Sequence, residues 1–345
     1  MEQIKISSVN PVLYKKLEQV GISQFLDDDS INEIAIYKPT EIWIKKDKWI
    51  KQSCENANLE NLSQLMQVIA NSNNIRLDHE NPIISVQLVS GERVQICISP
   101  AVLPKHISIN IRKHSAETKS LDELDQDKTF SNFKWVKKSK KEYNQENKNL
   151  LNDLDNQLVE HIENQEVVKF LRLAIHNHKN ILIVGRTGSG KTFLTRSLIE
   201  EVPNHERIIT IEDVHELFLP NHENKVHLIF GEGNDRVTAK KALSACMRMS
   251  PDRIFLAEIR GDEAWDYINS LNTGHPGSIT SAHANGAVEA YTRVTSLIKN
   301  TPTGSTLDSN YIQKELYNTI NIVLYYEDRK LKQLFFDPLY LQEIY

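Results

Sequence analysis

The stretch from Gly185 to Thr192, GRTGSGKT, decides the fold of this chain. It has glycine, glycine, lysine and threonine at the fixed positions of the pattern GxxxxGK followed by Ser or Thr. The apolar run ILIV (181–184) comes directly before it, and the helical pattern FLTRSLIE (193–200) directly after it. A strand, a glycine-rich turn and a helix N-terminus in this order direct backbone amides at a polyphosphate. The sequence therefore predicts an α/β P-loop domain that binds a nucleotide.

The loop supplies the candidate nucleotide-binding residues. These are Gly185, Thr187, Gly188, Ser189, Gly190, Lys191, Thr192 and Phe193. We expect Lys191 to reach the outer phosphates of ATP, and the Thr192 hydroxyl to join the coordination shell of Mg²⁺. The alternative is a strand-to-helix turn without a ligand. Glycine makes up only 12 of the 345 residues, so a chance match of the pattern in this context is rare.

Two further apolar strands end in acidic residues. RIITIEDVHEL delivers Glu212 and Asp213, and RIFLAEIRG delivers Glu258 after Ala257, which occupies the position usual for an aspartate. The carboxyl ends of parallel strands open onto the crevice that holds the phosphates, where carboxylates order water and help to hold a metal. The pattern predicts catalytic roles for all three acids and a metal-binding role for Glu258. Solvated strand ends are the alternative.

The composition excludes several classes of protein. The net charge is only -5, and no apolar run approaches the roughly 18 residues that a membrane helix needs. The N-terminal MEQIKISSVN does not resemble a signal peptide. Cys54, Cys97 and Cys246 lie far apart, and VHELF fails the zinc pattern HExxH because Leu219 follows His215 by four residues. No zinc is expected, and a cytoplasmic protein fits best.

Three regions follow one another along the chain. Alternating strand patterns, a helix stripe and a hairpin at Ser90-Gly91 predict an α+β domain over residues 1–114. Residues 115–156 are polar and predict a flexible linker. Its lysines around Trp135 are typical of a solvated connector, with contact to anionic lipid or nucleic acid as the alternative. Residues 157–345 form the predicted P-loop domain.

Four motifs together resemble one known family. GRTGSGKT, TIEDVHELFLP, SPDRIFLAEIRG and GHPGSITSAHA are similar to the phosphate loop, aspartate box, acidic strand and histidine box of the traffic ATPases of bacterial type IV secretion. DDDSINEIAIYKPTEIWI, NPIISVQLVSGERVQI and ISINIRKHS resemble the N-terminal module of that family, which also carries a lone glutamate in the acidic strand. The resemblance implies a RecA-like motor domain behind an N-terminal α+β domain, arranged as a two-tier hexameric ring with ATP between the domains.

The resemblance also assigns roles to single residues. Arg93 and Arg112 of the front domain would reach toward the nucleotide, where a planar guanidinium binds phosphate oxygens through two hydrogen bonds. Exposed strand-end arginines are the alternative. His283 would sense the terminal phosphate, and His275 would have a structural role in the preceding loop. The hydroxyls of the strand SITSA (278–282) are expected to join the network of His283.

The implied function is ATP hydrolysis that moves the front domain and powers pilus assembly and substrate export. Such a homohexamer would lie at the cytoplasmic face of the inner membrane, with peripheral contact to anionic lipid, beside other inner-membrane secretion subunits that include the coupling ATPase. One alternative is a type II secretion or type IV pilus assembly or retraction motor, whose assembly forms often carry a four-cysteine module. Another is a nucleic-acid translocase, but no basic aromatic channel is evident outside the linker. A scaffold that binds ATP without hydrolysis is the third.

Overall fold

The computed structural model describes residues 10–28, 30–88, 90–113, 118–231 and 237–344. The chain divides into a front unit, Met1–Ala116, and a motor unit, Glu117–Tyr345. Among the described residues, no helix is both long and apolar enough to cross a membrane.

The front unit is an antiparallel sheet covered on one face by helices. Its described elements are α1 (Pro11–Val20), α2 (Ser23–Leu26), β1 (Glu33–Lys38), β2 (Glu41–Lys45), β3 (Trp49–Ser53), α3 (Leu59–Ser72), β4 (Ile83–Gln87), β5 (Arg93–Cys97) and β6 (Ser108–Arg112). The strand order is β3-β2-β1-β6-β5-β4. Buried residues such as Ile34, Ile109 and Ile96 lie on one face of the sheet, because successive side chains of a strand point to opposite faces. This face forms the core.

Helix α3 closes this core. The side chain of Asn58 accepts a hydrogen bond from the Asn61 amide and caps the N-terminus of the helix. The predicted apolar stripe is confirmed, since Leu62, Leu65 and Ile69 are all fully buried. The helix packs against α1, and both cover the apolar face of the sheet.

The motor unit begins with helices that lead into the phosphate-loop strand. Its first described elements are α4 (Leu121–Gln126), β7 (Lys134–Val136), α5 (Gln145–Lys148), α6 (Asp153–Glu163), α7 (Val167–His176), β8 (Ile181–Val184), α8 (Lys191–Ile199), β9 (Ile208–Glu212) and β10 (Lys225–Ile229). The others are α9 (Ala239–Cys246), β11 (Arg253–Leu256), α10 (Ala264–Asn272), β12 (Ile279–Ala282), α11 (Glu289–Lys299), α12 (Pro302–Ser305), α13 (Ser309–Thr319), β13 (Ile322–Glu327), β14 (Lys330–Phe335) and α14 (Pro338–Ile344).

The strands of the motor unit form two hydrogen-bonded groups, β10-β9-β11 and β12-β8-β13-β14-β7. Strand β8 lies between β12 and β13 and is parallel to both, and β9 is parallel to β10 and β11. All residues of β8, β9, β11 and β12 are buried, because helices cover both faces of a parallel sheet. The carboxyl ends of β8 and β12 therefore lie side by side, as do those of β9 and β11.

The segment predicted as a flexible linker instead packs on the motor unit from residue 118 to residue 156, and we call it the strap. Leu121, Leu124 and Phe130 are buried in the motor core. Strand β7 pairs in parallel with β14, and the Trp135 indole donates a hydrogen bond of 3.0 Å to the carbonyl of Phe336. The few apolar residues of the strap are separated by lysines and acidic residues. The average composition of the segment is therefore polar and does not indicate that these apolar side chains are buried.

The carboxylate of Asp337 fastens the second half of the strap. It accepts hydrogen bonds from the amides of Lys138 and Ser139 at 2.6 and 2.8 Å and from the Tyr143 hydroxyl at 2.7 Å. Burial, followed by the bond to Asp337, raises the pKa of Tyr143 far above its usual value. Part of the lysine run makes contacts within the motor unit. Nζ of Lys137, for example, lies 4.3 Å from the centroid of the Trp135 ring.

Candidate nucleotide-binding site

The glycines of the phosphate loop have backbone conformations that other residues rarely adopt. Gly188 and Gly190 have φ of 78° and 96°, and α8 begins directly after them at Lys191. A Cβ atom on Gly185 would collide with the carbonyl oxygen of Tyr326. A Cβ atom on Gly188, in contrast, would meet no atom within 4 Å. The loop thus packs closely on β13 at one end and forms an open cradle at the other.

Two further loop residues fit a phosphate ligand. The Ser189 hydroxyl oxygen is buried and has no hydrogen-bond partner in the described part of the chain. Thr187 is exposed, whereas Thr192 and Phe193 are half-buried in the first turn of α8. An open cradle with a buried hydroxyl and a helix N-terminus suits an anion. The Thr192 hydroxyl and the Glu258 carboxylate are oxygen ligands of the type that Mg²⁺ prefers.

Lys191 lies across the base of the loop. Its side chain is buried, and Nζ donates hydrogen bonds to the carbonyls of Gly185 and Arg186 at 3.0 and 3.1 Å. It also lies 3.2 Å from Nδ1 of His283. An ammonium group has three protons, so these three contacts use all of them. A phosphate oxygen that binds Lys191 must therefore replace at least one of these contacts.

His283 connects the loop to the acidic strand. Its Nε2 is 2.8 Å from Oε1 of Glu258, and its Nδ1 is 3.1 Å from the carbonyl of Gly185. If Nδ1 of His283 accepts a hydrogen bond from Lys191, that nitrogen cannot also donate a hydrogen bond to the carbonyl of Gly185. The imidazole ring therefore lies between the Lys191 ammonium and the Glu258 carboxylate, with one ring nitrogen near each.

Arg260 extends this arrangement to the end of β9. It donates from Nε and Nη2 to Oε2 of Glu258 at 2.8 and 2.6 Å, and from Nη1 to Asp213 at 2.5 Å. Burial lowers the pKa of Arg260, but the carboxylates of Asp213 and Glu258 outweigh this effect and raise it above its usual value. Lys191, His283, Glu258, Arg260 and Asp213 therefore form one continuous charged chain, which we call the charged relay.

Glu212 was predicted to join these acids, but its carboxylate lies elsewhere. Oε2 accepts two backbone hydrogen bonds, from Glu216 and Leu217, both at 2.7 Å. Oε1 accepts one from the Thr210 hydroxyl at 2.6 Å and lies 3.3 Å from Nδ1 of His215 and of His227. The side chain is fully buried. Burial raises its pKa, but the hydrogen bonds from the two histidines, Thr210 and the Leu217 amide together lower it well below the usual value.

The hydroxyls of the histidine box also differ from the prediction. Ser278, Thr280 and Ser281 donate to the carbonyls of Ile254, Leu256 and Ala257 at 2.7, 2.6 and 2.8 Å, respectively. Every donor is on or beside β12 and every acceptor is on or beside β11. These side chains thus join the two strand groups and position β12, but they are not part of the His283 network.

His275 lies in the structural position that was predicted for it. Its Nδ1 is 3.1 Å from the carbonyl of Pro251 and connects the two loops that precede β11 and β12. Gly277, in the same loop, has φ of 85°, and a Cβ there would lie 2.9 Å from the Arg253 guanidinium. The guanidinium is itself fully buried and paired with Glu206. The small residues around the two histidines therefore allow close packing of the backbone.

Sequence reasoning missed Arg329 and Tyr326, which contact the phosphate loop from the β13–β14 hairpin. The Arg329 amide donates to the carbonyl of Ser189 at 3.2 Å, and its guanidinium lies 5.8 Å from the centroid of the Phe193 ring. The hairpin sequence YEDRK contains no motif that signals this role. The parallel pairing of β13 with β8 brings it there.

Arg93 and Arg112 lie opposite each other in the front unit. They are direct partners in the register of β5 and β6, so their side chains leave the same face of the sheet. Their neighbours Val94 and Ile111 are buried on the other face, which is the core. On its other side Arg112 is the register partner of Glu33 in β1, so a carboxylate lies on the same face.

Comparison with known proteins identifies the family. Residues 143–324 match the family described as Type II/IV secretion system protein. The type IV secretion system protein VirB11 of Bartonella quintana is 36% identical over 342 residues, which are 97% of this chain and 95% of that protein. The chain belongs to the type II/IV secretion system protein family. VirB11 of Brucella suis is 34% identical over 327 residues, which cover 91% and 88% of the two chains.

Solved structures of this secretion family have the same fold. The VirB11 ATPase from the Brucella suis type IV secretion system, in complex with sulphate, matches with a TM-score of 0.52 and 32% identity over 96% of this chain and 99% of that chain. The pilus retraction motor PilT with bound ADP matches with a TM-score of 0.55 and 17% identity over 94% and 78%, which concerns the fold alone. The predicted family, fold class and enzyme class, a secretion ATPase, are confirmed.

Proposed function

We propose that this secretion ATPase hydrolyses ATP at the loop from Gly185 to Thr192 and thereby powers pilus assembly and substrate export by a bacterial type IV secretion system. The observation that carries the proposal is the charged relay from Lys191 to Asp213. It connects the phosphate loop to three motifs that are far apart in sequence, and it ends in carboxylates that can order water.

In this mechanism Lys191 transfers its hydrogen bonds from protein groups to the outer phosphate oxygens. In this proposal a phosphate oxygen replaces the contact with His283, because an anionic oxygen is a stronger acceptor for the ammonium than an imidazole nitrogen. Nδ1 of His283 is then free to change its partner. The position of the ring thus depends on whether a terminal phosphate is bound.

Glu258 is the base of the proposed reaction. It orients a water molecule and accepts a proton as the water oxygen attacks the terminal phosphorus, while ADP leaves with the bridging oxygen. Arg260 holds one carboxylate oxygen through two hydrogen bonds and leaves the other directed at His283. The Thr192 hydroxyl and the Glu258 carboxylate would hold Mg²⁺, which would supply positive charge near the phosphate oxygens.

The proposal extends to Arg93 and Arg112 of the front unit. Their pairing on one face provides two guanidinium groups for an anion, and a trigger arginine of this type contributes about 10³ to 10⁵ in rate in phosphoryl transfer. In this proposal they bind ATP and release it after hydrolysis, so that the front unit moves with the nucleotide state within a homohexameric ring.

We also propose a location and partners. The motor would work at the cytoplasmic face of the inner membrane, next to the other inner-membrane secretion subunits and the coupling ATPase. Lys134, Lys140 and Lys141 of the strap are exposed, which suits a weak peripheral contact with anionic lipid. The pilus-motor and nucleic-acid translocase functions remain the alternatives.

Phosphate release by the purified full-length chain with Mg²⁺ and ATP tests the proposal. Lys191→Ala is expected to lose ATP binding and turnover together, because the loop loses the ammonium group proposed to bind phosphate. Lys169→Ala is the matched control, since this exposed lysine of α7 pairs with Glu166, the N-cap residue of the same helix. Turnover that persists in Lys191→Ala contradicts the assignment, and strong stimulation by single-stranded DNA favours the translocase.

A further inference from the structure

A cluster of three side chains that can bind a metal lies on β9, on β10 and in the loop after β9, outside the charged relay. Glu212 ends β9, His227 is in β10 and His215 is in the loop that follows β9. One ligand atom from each residue lies within 4.8 Å of the other two. The imidazole rings are 4.3 Å apart between centroids. The cluster includes Glu212, which was predicted to be catalytic but is not part of the charged relay.

Two of the three separations between ligand atoms in the cluster match those in a tetrahedral metal site. Ligand atoms that are 2.0–2.1 Å from a zinc ion are about 3.3 Å from each other in a tetrahedron. Nδ1 of His215 and Nδ1 of His227 are each 3.3 Å from the same oxygen, Oε1 of Glu212. The two imidazoles thus approach one carboxylate oxygen at the separation that a shared metal ion requires.

Groups around the cluster orient the carboxylate. The amides of Glu216 and Leu217 hold Oε2, so that Oε1 is directed toward the histidines. The Thr210 hydroxyl lies 2.6 Å from Oε1 and 2.8 Å from Nδ1 of His227. The two amide bonds to Oε2 orient the carboxylate in the way that outer hydrogen bonds orient metal ligands. A metal ion at Nδ1 of His227 would replace the contact of that nitrogen with the Thr210 hydroxyl.

The cluster is also accessible to an ion. The Glu212 side chain is fully buried, whereas the side chains of His215 and His227 are 36% and 22% exposed. A buried carboxylate supplies charge in a region of low dielectric, and the exposed side of the imidazoles leaves a coordination position for water.

We propose that Glu212, His215 and His227 bind a divalent transition-metal ion, with zinc as the preferred occupant. Two imidazole nitrogens and one carboxylate oxygen form a ligand set that suits zinc better than magnesium. The sequence-based expectation that the chain binds no zinc rested on scattered cysteines and a failed HExxH pattern. This site needs neither, because its second histidine comes from the neighbouring strand.

The bound ion would fasten the loop after β9 to β10. Its ligands come from both strands and from the loop, and Asp213, the end of the charged relay, is the residue directly after Glu212. The metal therefore acts in this proposal as a structural clamp beneath the relay. It is separate from the Mg²⁺ proposed at Thr192.

Calorimetric titration of the metal-stripped full chain with zinc chloride tests the proposal. We expect saturable binding by the wild type that is weakened at least about tenfold in His215→Asn and in His227→Gln, since lost support of a metal site costs about 10- to 100-fold in affinity. His205→Ala is the matched control, because this histidine is exposed and outside the cluster. Zinc at a hundredfold excess over Kd should raise the thermal midpoint of the wild type by roughly 5 to 10 °C.

Two results would overturn the proposal. One is the lack of saturable zinc binding by the wild type, and the other is equal zinc binding by the wild type and by both histidine variants. Folding of each variant is checked by its thermal midpoint in EDTA, and His215→Asn changes a partly exposed side chain. Lys191→Ala should bind zinc as the wild type does, so failure of the nucleotide assignment and failure of the zinc site give different results.

Discussion

The end of β9 and the end of β11 carry the same residue type in neighbouring parallel strands, but the two glutamates have different surroundings. Glu212 is fully buried and is held by two backbone amides, a hydroxyl and two histidines. Glu258 contacts the side chains of His283 and Arg260. The comparison indicates that the Glu212 carboxylate holds a loop in place, whereas the Glu258 carboxylate meets other side chains of the charged relay, as the proposed reaction requires.

The register of the two strands explains this difference. Leu256 is the partner of Ile211, and the Ala257 amide donates to the carbonyl of Ile211 where the pairing ends. Successive residues of a strand point to opposite faces. Only one residue of the pair Glu212-Asp213 can therefore be on the same face as Glu258. That residue is Asp213, and Arg260 donates hydrogen bonds to both carboxylates. The alanine at position 257 lies on the side of Glu212.

Replacement of the reactive carboxylate should give the largest effect on activity. Glu258→Gln is expected to lower kcat by about 10² to 10⁴, the usual contribution of a positioned base, while ATP binding is retained. Single-turnover phosphate release and equilibrium ATP binding measure the two quantities. Loss of binding equal to that in Lys191→Ala would contradict the division of roles.

Replacement of the buried carboxylate should mainly change stability. Glu212→Gln is expected to lower the free energy of unfolding of the motor unit by about 3 kcal/mol, because backbone amides lose a charged acceptor. Chemical denaturation in EDTA measures this effect, with Glu258→Gln as the comparison, expected within about 1 kcal/mol of the wild type. Equal unfolding free energies of Glu212→Gln and the wild type would contradict the stabilising role of the buried carboxylate.

The pH dependence of stability sharpens the same comparison. Folding lowers the pKa of Glu212, so its contribution is complete above the unfolded value of about 4.3 and is lost as the pH falls below that value. Between roughly pH 7 and pH 3.5 the wild type should lose about 1 kcal/mol more than Glu212→Gln. Denaturant midpoints at the two pH values measure the difference, and parallel losses in both proteins would contradict it.

The smallest effect is expected for the link between the two strand ends. Arg260→Lys keeps the positive charge but cannot donate to Asp213 and to Glu258 with the same fork of hydrogen bonds. We expect kcat to fall by up to about tenfold and the unfolding free energy to change by less than about 1 kcal/mol, as for partly exposed ion pairs. A loss of activity as large as that in Glu258→Gln would place Arg260 among the reacting groups.

Sequence patterns predicted the charged relay better than they predicted its surroundings. Lys191, Glu258 and His283 follow strands in motifs of fixed spacing, so their places at one edge of the sheet could be anticipated. The role of Glu212 depends on strand alternation and on His227, which is 15 residues away and comes from another strand. The alternation of side chains along a strand could have predicted that Glu212 and Asp213 lie on opposite faces. It could not have predicted the contact between Glu212 and His227.

The strap and the histidine-box hydroxyls were missed for a different reason. Average polarity predicted a linker, but burial depends on a few positions such as Leu121 and Phe130. Likewise, Ser278 and Thr280 beside an imidazole suggested a ligand network, although each hydroxyl bonds a carbonyl of the adjacent strand. Such choices between partners depend on tertiary packing.

Strand β7 of the strap has a consequence for solubility. By pairing with β14 it covers a row of backbone donors and acceptors that would otherwise recruit strands from other molecules. The new outer strand is only three residues long and begins at Lys134, with Lys137 one residue beyond its end. Short strands with lysines resist intermolecular pairing, so the polar segment protects the motor unit against edge-to-edge aggregation.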